Sequence, residues 1–151
     1  MGSEPQELVA AARAVAYTAR RLERSLGEMT LPQFRVLALV ASSTERASQI
    51  AERAAVTRPS LTGLLDGLEA RGWVRRVDVS GDRRGVLLEV TAEGREALTH
   101  AERSMAAALD DVLAPAGADD RARALRGLAA LGGALRSRLV AAGTAVEAEA
   151  R

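Results

Sequence analysis

The sequence predicts a mainly helical α+β chain: a winged helix-turn-helix lobe with a small β-hairpin wing, flanked by a helical dimerisation region. Two observations place the lobe. Leu61, Leu64, Leu65 and Leu68 recur at i, i+3, i+4 and i+7, the spacing of one apolar stripe on a helix. Directly after Gly72 the period changes to two over Trp73 to Val79. A second such run, Val86 to Val90, follows the polar, basic turn Ser80-Gly81-Asp82-Arg83-Arg84. A third observation places the flanks: long apolar stripes before and after the lobe exceed what a lobe of this size can cover. The boundaries that follow are a lobe over residues 30–91, helical flanks over 5–28 and 92–140, and a tail over 141–151.

From Pro5 to Glu28, Leu8, Ala12, Val15, Ala19, Leu22 and Leu26 step by four and three, which predicts one long amphipathic helix whose alanine-rich seam invites a close helical partner. Thr30-Leu31-Pro32-Gln33 has the form of a capping box with proline in the first turn. The short apolar helix behind it, with Phe34, Leu37, Ala38, Val40 and Ala41, supplies a floor for the lobe. After the polar break 42–46, Ser48 can cap a helix from Gln49 to Ala55 with Ile50, Ala51 and Ala54 inward. This is the first helix of the helix-turn-helix, and Ala55-Val56-Thr57 is its turn.

Thr57 then caps the second helix, with Pro59 in the first turn where no amide donor is needed. Opposite its leucine stripe lie Arg58, Ser60, Thr62, Gly63 and Asp66, a small, hydrogen-bonding edge that suits close approach to a base edge or phosphate. Gly72 is placed to stop the helix in a left-handed conformation. In the first strand Val77 and Val79 share one side, Arg76 and Asp78 the other. Arginines at the tip of an exposed hairpin suit a phosphate or a narrow A·T-rich minor groove.

After the hairpin, Thr91 caps a helix from Ala92 to about Ala114, with Leu98, Ala101, Met105, Ala108 and Val112 on its stripe. Pro115-Ala116-Gly117-Ala118 ends it. Asp119 or Asp120 starts a last helix striped by Leu125, Leu128, Leu131, Leu135 and Leu139. There Gly132-Gly133 either weakens the middle or allows close helix approach.

Composition narrows the chemistry. The 151 residues carry a net charge of +1, which argues against indiscriminate coating of nucleic acid but leaves a local positive field open. All basic residues are arginine, so any phosphate contact can be bidentate. Without cysteine there is no disulfide and no thiol redox sensor. One histidine without clustered ligands speaks against zinc or haem, and no cofactor is expected. There is no Ser/His/Asp or Cys/His set, phosphate-cradling glycine loop or paired carboxylate cleft, so an enzyme is not expected. No apolar run approaches the roughly 20 residues that span a bilayer and no signal peptide is visible, so a cytoplasmic location without membrane contact is expected.

Three stretches carry a resemblance. Ile50-Ala51-Glu52-Arg53-Ala54-Ala55-Val56-Thr57, Leu64-Leu65-Asp66-Gly67-Leu68-Glu69-Ala70-Arg71-Gly72-Trp73-Val74, and Asp82-Arg83-Arg84-Gly85-Val86-Leu87-Leu88-Glu89-Val90-Thr91 with Glu93-Gly94 resemble, in order and spacing, the MarR family of bacterial transcription regulators. The motifs cover Leu31 to Gly94, and the helix layout covers the rest. Gly63 departs from the pattern, since many relatives carry a longer polar or basic side chain there. The resemblance implies an obligate homodimer on double-stranded DNA, with the recognition helix in the major groove and the wing arginine in the flanking minor groove. On that basis Arg58, Ser60 and Thr62 are candidates for base or phosphate contacts and Thr57 for a phosphate at the helix N-terminus. Arg84 is the preferred minor-groove residue, Asp82 its orienting partner, and Arg83 a phosphate contact. Of Arg75 and Arg76 at the hairpin stem, one is expected to face the DNA backbone, and the sequence does not say which.

A two-fold dimer sets its recognition helices ~34 Å apart and so implies a pseudo-palindromic operator. Repression is the expected outcome, because a dimer can occlude a promoter without touching polymerase. Relatives of this kind release DNA on binding a small, often aromatic or phenolic acid. Arg13, Tyr17, Arg20 and His100 are candidate lining residues for such an effector, against the alternative of ordinary surface or interface roles. The rival for the whole chain is a winged-helix scaffold that contacts proteins and does not read DNA sequence.

Overall fold

Caps and glycine stops divide the chain much where the sequence puts them. The computed structural model describes residues 4–42, 50, 57–78 and 86–149; the side chains of Arg58, Asp78, Val86 and 139–149 lie outside that description. The described elements are α1 (Glu4–Ser25), α2 (Leu31–Ser42), α3 (Arg58–Ala70), β1 (Val74–Asp78), β2 (Val86–Val90), α4 (Ala92–Leu113) and α5 (Ala118–Glu149). None of the described helices is long and apolar enough to cross a membrane.

α1 stops at Ser25, three residues short of the expected end. Gly27 takes a positive φ of 63°, and the turn it makes sends both Leu26 and Met29 into the core. The capping box at the start of α2 forms as read: Thr30 N–H donates to Gln33 Oε1 at 2.9 Å and Gln33 N–H to Thr30 Oγ1 at 3.3 Å. α2 buries Val36, Leu37 and Val40, and Phe34 packs at the margin of the same cluster. Ile50 is helical and fully buried, as expected. The remainder of the first helix-turn-helix helix, including Ser48, Ala51 and Ala54, and the junction up to Val56 lie outside the described residues.

The core sits where α2, α3, the hairpin and the first half of α4 meet, closed by the end of α1. Leu61, Leu65 and Leu68 from α3, Val74 and Leu88 from the hairpin and Leu98 and Ala101 from α4 form one cluster with Val36, Leu37 and Ile50. Burial of each large apolar side chain here contributes about 1.5–3 kcal/mol relative to exposure. The hairpin is antiparallel, pairing Val74 with Val90, Arg75 with Glu89 and Arg76 with Leu88.

The far ends of the helices are uncovered. Leu8, Val9, Val15 and Tyr17 on α1 are 65, 51, 45 and 79% exposed, and Leu125, Leu128, Leu131 and Leu135 on α5 are 38 to 55% exposed. α5 begins at Ala118, just before the aspartates expected to start it. It then runs unbroken through Gly132-Gly133 and on to Glu149, across the segment composition marked as a tail. Ala141, Ala142, Ala145 and Ala148 explain the extension, since alanine is the strongest helix former.

Candidate nucleic-acid interface

The first turn of α3 is pinned by its cap. Thr57 adopts φ −70° and ψ 155°, and its Oγ1 accepts from Ser60 N–H at 3.3 Å. The Thr57 and Ser60 hydroxyls lie 2.8 Å apart, so one donates a hydrogen bond to the other at the exposed helix N-terminus. With Leu61, Leu65 and Leu68 buried, helical geometry turns Pro59, Ser60, Thr62, Gly63 and Asp66 outward, and all five are exposed. A Cβ at Gly63 would meet nothing within 4 Å, so this edge is open space.

The other end of α3 is equally defined. Gly72 has φ 71°, its N–H donates to Glu69 O at 2.8 Å, and Trp73 N–H donates to Leu68 O at 2.9 Å. That pair of bonds is a Schellman stop, the role the sequence assigned to Gly72. The Arg71 guanidinium lies 5.0 Å over the Trp73 ring and 3.7 Å from Glu28 Oε2. The chain therefore leaves α3 on a fixed heading into β1.

Behind the hairpin, α4 is fastened tightly. Thr91 N–H donates to Trp73 O at 3.0 Å, and Thr91 Oγ1 donates to Gly72 O at 2.6 Å while accepting from Gly94 N–H at 3.0 Å. Gly94 is buried against this junction; a Cβ there would lie 2.0 Å from Trp73 O and 2.8 Å from Val90 Cγ2. No side chain fits, and this is the physical reason for glycine in the Glu93-Gly94 pair.

Alternation along β1 puts Val74 and Arg76 on the side where Val74 and Leu88 enter the core. Val77 and Arg75 belong to the opposite side. Both stem arginines are engaged. Arg75 donates to Glu89 Oε2 from Nε at 3.0 Å and from Nη2 at 2.6 Å, an exposed cross-strand pair. Arg76 reaches α3, with Nη2 2.8 Å from Asp66 Oδ1 and Nη1 2.8 Å from Glu69 Oε2. The hydrogen bond that Arg76 donates to Asp66 holds its guanidinium above the ordinary pKa, opposed by burial and supported by the charges of Glu69 and Asp66. Sequence reasoning missed this contact. Its available signal was two carboxylates at i and i+3 on a helix that leads directly into an arginine-bearing strand.

Asp82, Arg83 and Arg84 of the wing turn lie outside the described residues, as does the side chain of Arg58. Arg13, Tyr17 and Arg20 on α1 and His100 on α4 are all exposed. None lines the open cleft of about 500 Å³ between Val40, Ala41, Ser42, Arg75, Leu88, Glu89, Val90 and Arg95. In the single chain the structure does not gather the four into one cavity among the described residues.

A model described as MarR family matches residues 28–85. The HTH-type transcriptional regulator FarR of Neisseria gonorrhoeae is 41% identical over 69 residues, 45% of this chain and 47% of that protein. The chain spans about half the length, or slightly less, of the curated relatives it matches. Solved structures align over nearly their whole length. The transcriptional repressor CouR, bound to a 23-mer DNA duplex, is 29% identical with a TM-score of 0.70, covering 87% of this chain and 97% of that one. A Mycobacterium tuberculosis MarR family protein in complex with p-aminosalicylic acid is 28% identical with a TM-score of 0.68, covering 82% of this chain and 96% of that one.

Proposed function

We propose that the chain, whose residues 28–85 match a MarR family model and which is similar to the HTH-type transcriptional regulator FarR, is a sequence-specific DNA-binding transcriptional regulator, a homodimer that represses from a pseudo-palindromic operator. The observation that carries this reading is the exposed polar edge of α3, capped at one end by Thr57 and locked at the other, through Gly72, to the arginine-bearing hairpin. Among the described residues, the large exposed apolar side chains lie on α1, α4 and α5 and none on α3. A scaffold docking a protein through α3 would need an apolar anchor there.

In this reading α3 enters the major groove. Ser60 and Thr62 hydrogen-bond to base edges or phosphate together with Arg58, and Thr57 meets a phosphate at the helix N-terminus, where the dipole favours an anion. Gly63 brings the helix backbone close without adding a reading side chain. Arg84 enters the flanking minor groove with Asp82 orienting it, and Arg83 meets a phosphate. Arg75 is the stem arginine suited to the DNA backbone. Among the described residues its one carboxylate partner is the half-exposed Glu89, and such surface pairs hold so weakly that a phosphate can replace them. The uncovered stripes on α1 and α5 become the contact between two copies, closing a two-fold assembly that sets the recognition helices ~34 Å apart.

The test is selection of binding sites from a random duplex pool by the purified protein, followed by anisotropy titration across a range of salt. An inverted repeat is the expected product. Log affinity is expected to fall with log salt at about 0.9 per phosphate neutralised. A pool that stays random, or a flat salt dependence, contradicts the reading.

An aromatic or phenolic acid is proposed as effector, bound between the helical region and the lobe of the dimer. Arg13, Tyr17 and Arg20 support it by sharing one face of α1 at i, i+4 and i+7, offering cations beside an aromatic ring that is 79% exposed in the single chain. His100, exposed on α4, is assigned to the same site in the assembled dimer. Salicylate is expected to raise the melting temperature of the protein and to lose that effect in Arg20→Ala. No shift with any of a panel of phenolic acids would remove the effector from the proposal.

A further inference from the structure

Arg76 has a connection unlike that of any other described arginine. From a strand of the wing, the two arms of one guanidinium each hold a carboxylate on α3, Asp66 and Glu69, one helical turn apart, both at 2.8 Å. The hairpin that carries it is anchored on its core side by Val74 of β1 and Leu88 of β2, and the helix it grips is anchored by Leu65 and Leu68. Both ends of the link are thus packed bodies joined at one end by the Gly72 turn, and the link is a second tie between them that bears on the angle at which they meet. A planar fork can satisfy two acceptors at set positions, whereas a lysine ammonium is a single point charge on a flexible stem. Its charge, raised in pKa by the same contacts, is present across the whole working pH range.

We propose that Arg76 is a positioning residue which, by holding Asp66 and Glu69 together, fixes the angle between α3 and the wing. It thereby selects the separation between the major-groove sequence and the flanking minor-groove sequence that the protein accepts. Arg76 acts through the wing and does not itself touch DNA. Asp66, an acidic residue on the DNA-facing helix, has the same function as its partner. This inference rests on the DNA-binding reading and assigns a specificity role within it.

The sign of one substitution separates this role from simple electrostatics. Removing a negative charge beside DNA tightens binding if charge alone matters. If Asp66 is half of a positioning link, Asp66→Asn weakens it. Wild type, Asp66→Asn, Arg76→Gln, Arg76→Lys and the Asp66→Asn/Arg76→Gln double variant are titrated against two duplexes. One is the operator recovered by selection, and the other carries its A·T flank moved one base pair from the core. Each glutamine or asparagine variant is expected to lose about five- to tenfold in operator affinity, and the double variant no more than either single, because the two belong to one link. Discrimination between the two duplexes falls by a similar factor while the salt slope stays at the wild-type value. Arg76→Lys retains one of the two contacts and is intermediate.

Tighter binding by Asp66→Asn overturns the proposal. So does a drop in the Arg76→Gln salt slope of about 0.9 per half-site with discrimination intact, which marks a direct phosphate contact. Equal discrimination by Arg76→Lys and wild type removes the need for a two-armed hold. Failure of the wild-type protein to prefer any sequence strikes the DNA-binding reading itself and is seen before any variant is made.

Discussion

Gly94→Ala is expected to destabilise the protein by about 3 kcal/mol or more, the upper range of overpacking in a closed core. The added methyl would lie 2.0 Å from Trp73 O and 2.8 Å from both Trp73 C and Val90 Cγ2. Two of these three atoms are backbone, so no flexible side chain can swing aside. The first turn of α4 must retreat, and the bonds that bind it to the hairpin root, Thr91 N–H to Trp73 O at 3.0 Å and Thr91 Oγ1 to Gly72 O at 2.6 Å, must stretch with it. Gly63→Ala is the control. It sits in α3 with ordinary helical backbone and open space where the methyl would go, so it is expected to stabilise by roughly 0.5–1 kcal/mol through helix propensity. Urea unfolding of the two variants checks both signs. A Gly94→Ala midpoint equal to wild type would mean that α4 and Trp73 are not in the close contact described.

Arg84→Ala is expected to weaken operator binding by about 1–3 kcal/mol per half-site, hence roughly 2–6 kcal/mol for a dimer engaging two, with the fold intact. An arginine in a narrow A·T minor groove works by electrostatic fit to a groove whose width depends on sequence, so the loss is concentrated on A·T-flanked sites. Arg83→Ala provides the contrast. If it is the phosphate contact proposed above, its loss weakens binding nearly uniformly across sequences and lowers the salt slope by about 1 per half-site. Anisotropy titrations at matched salt distinguish the two, and unchanged affinity in Arg84→Ala would remove the wing arginine from the interface.

Much of the architecture was legible in local signals. Thr30, Thr57 and Thr91 each cap the helix that follows, and Gly72 takes the left-handed conformation that its place after a leucine stripe predicts. These features are decided within a few residues of chain. The rest depends on contacts distant in sequence. Arg76 lies on the inward side of β1, which alternation alone marks as polar; that placement is tenable because Asp66 and Glu69, ten and seven residues earlier on another element, receive it. Gly94 is required by a carbonyl 21 residues earlier, and nothing in its own neighbourhood announces that. The end of α5 is illegible for the opposite reason: an alanine-rich, weakly patterned segment resembles a tail by composition, yet retains high intrinsic helix propensity.

The apolar stripes on α1 and α5 were also visible in advance, and the structure leaves Leu8, Leu128, Leu131 and Leu135 open to water. In the proposed homodimer a second copy of the chain covers them and converts one capped helix and hairpin into a reader of two half-sites.

Hydroxyl-radical footprinting of the selected operator examines that arrangement most directly. Two protected patches related by a two-fold axis, centred about 10 base pairs apart on one face of the duplex and each bordered by minor-groove protection, are the pattern that paired α3 helices and wings require. A single unpaired patch, or uniform protection without symmetry, contradicts it.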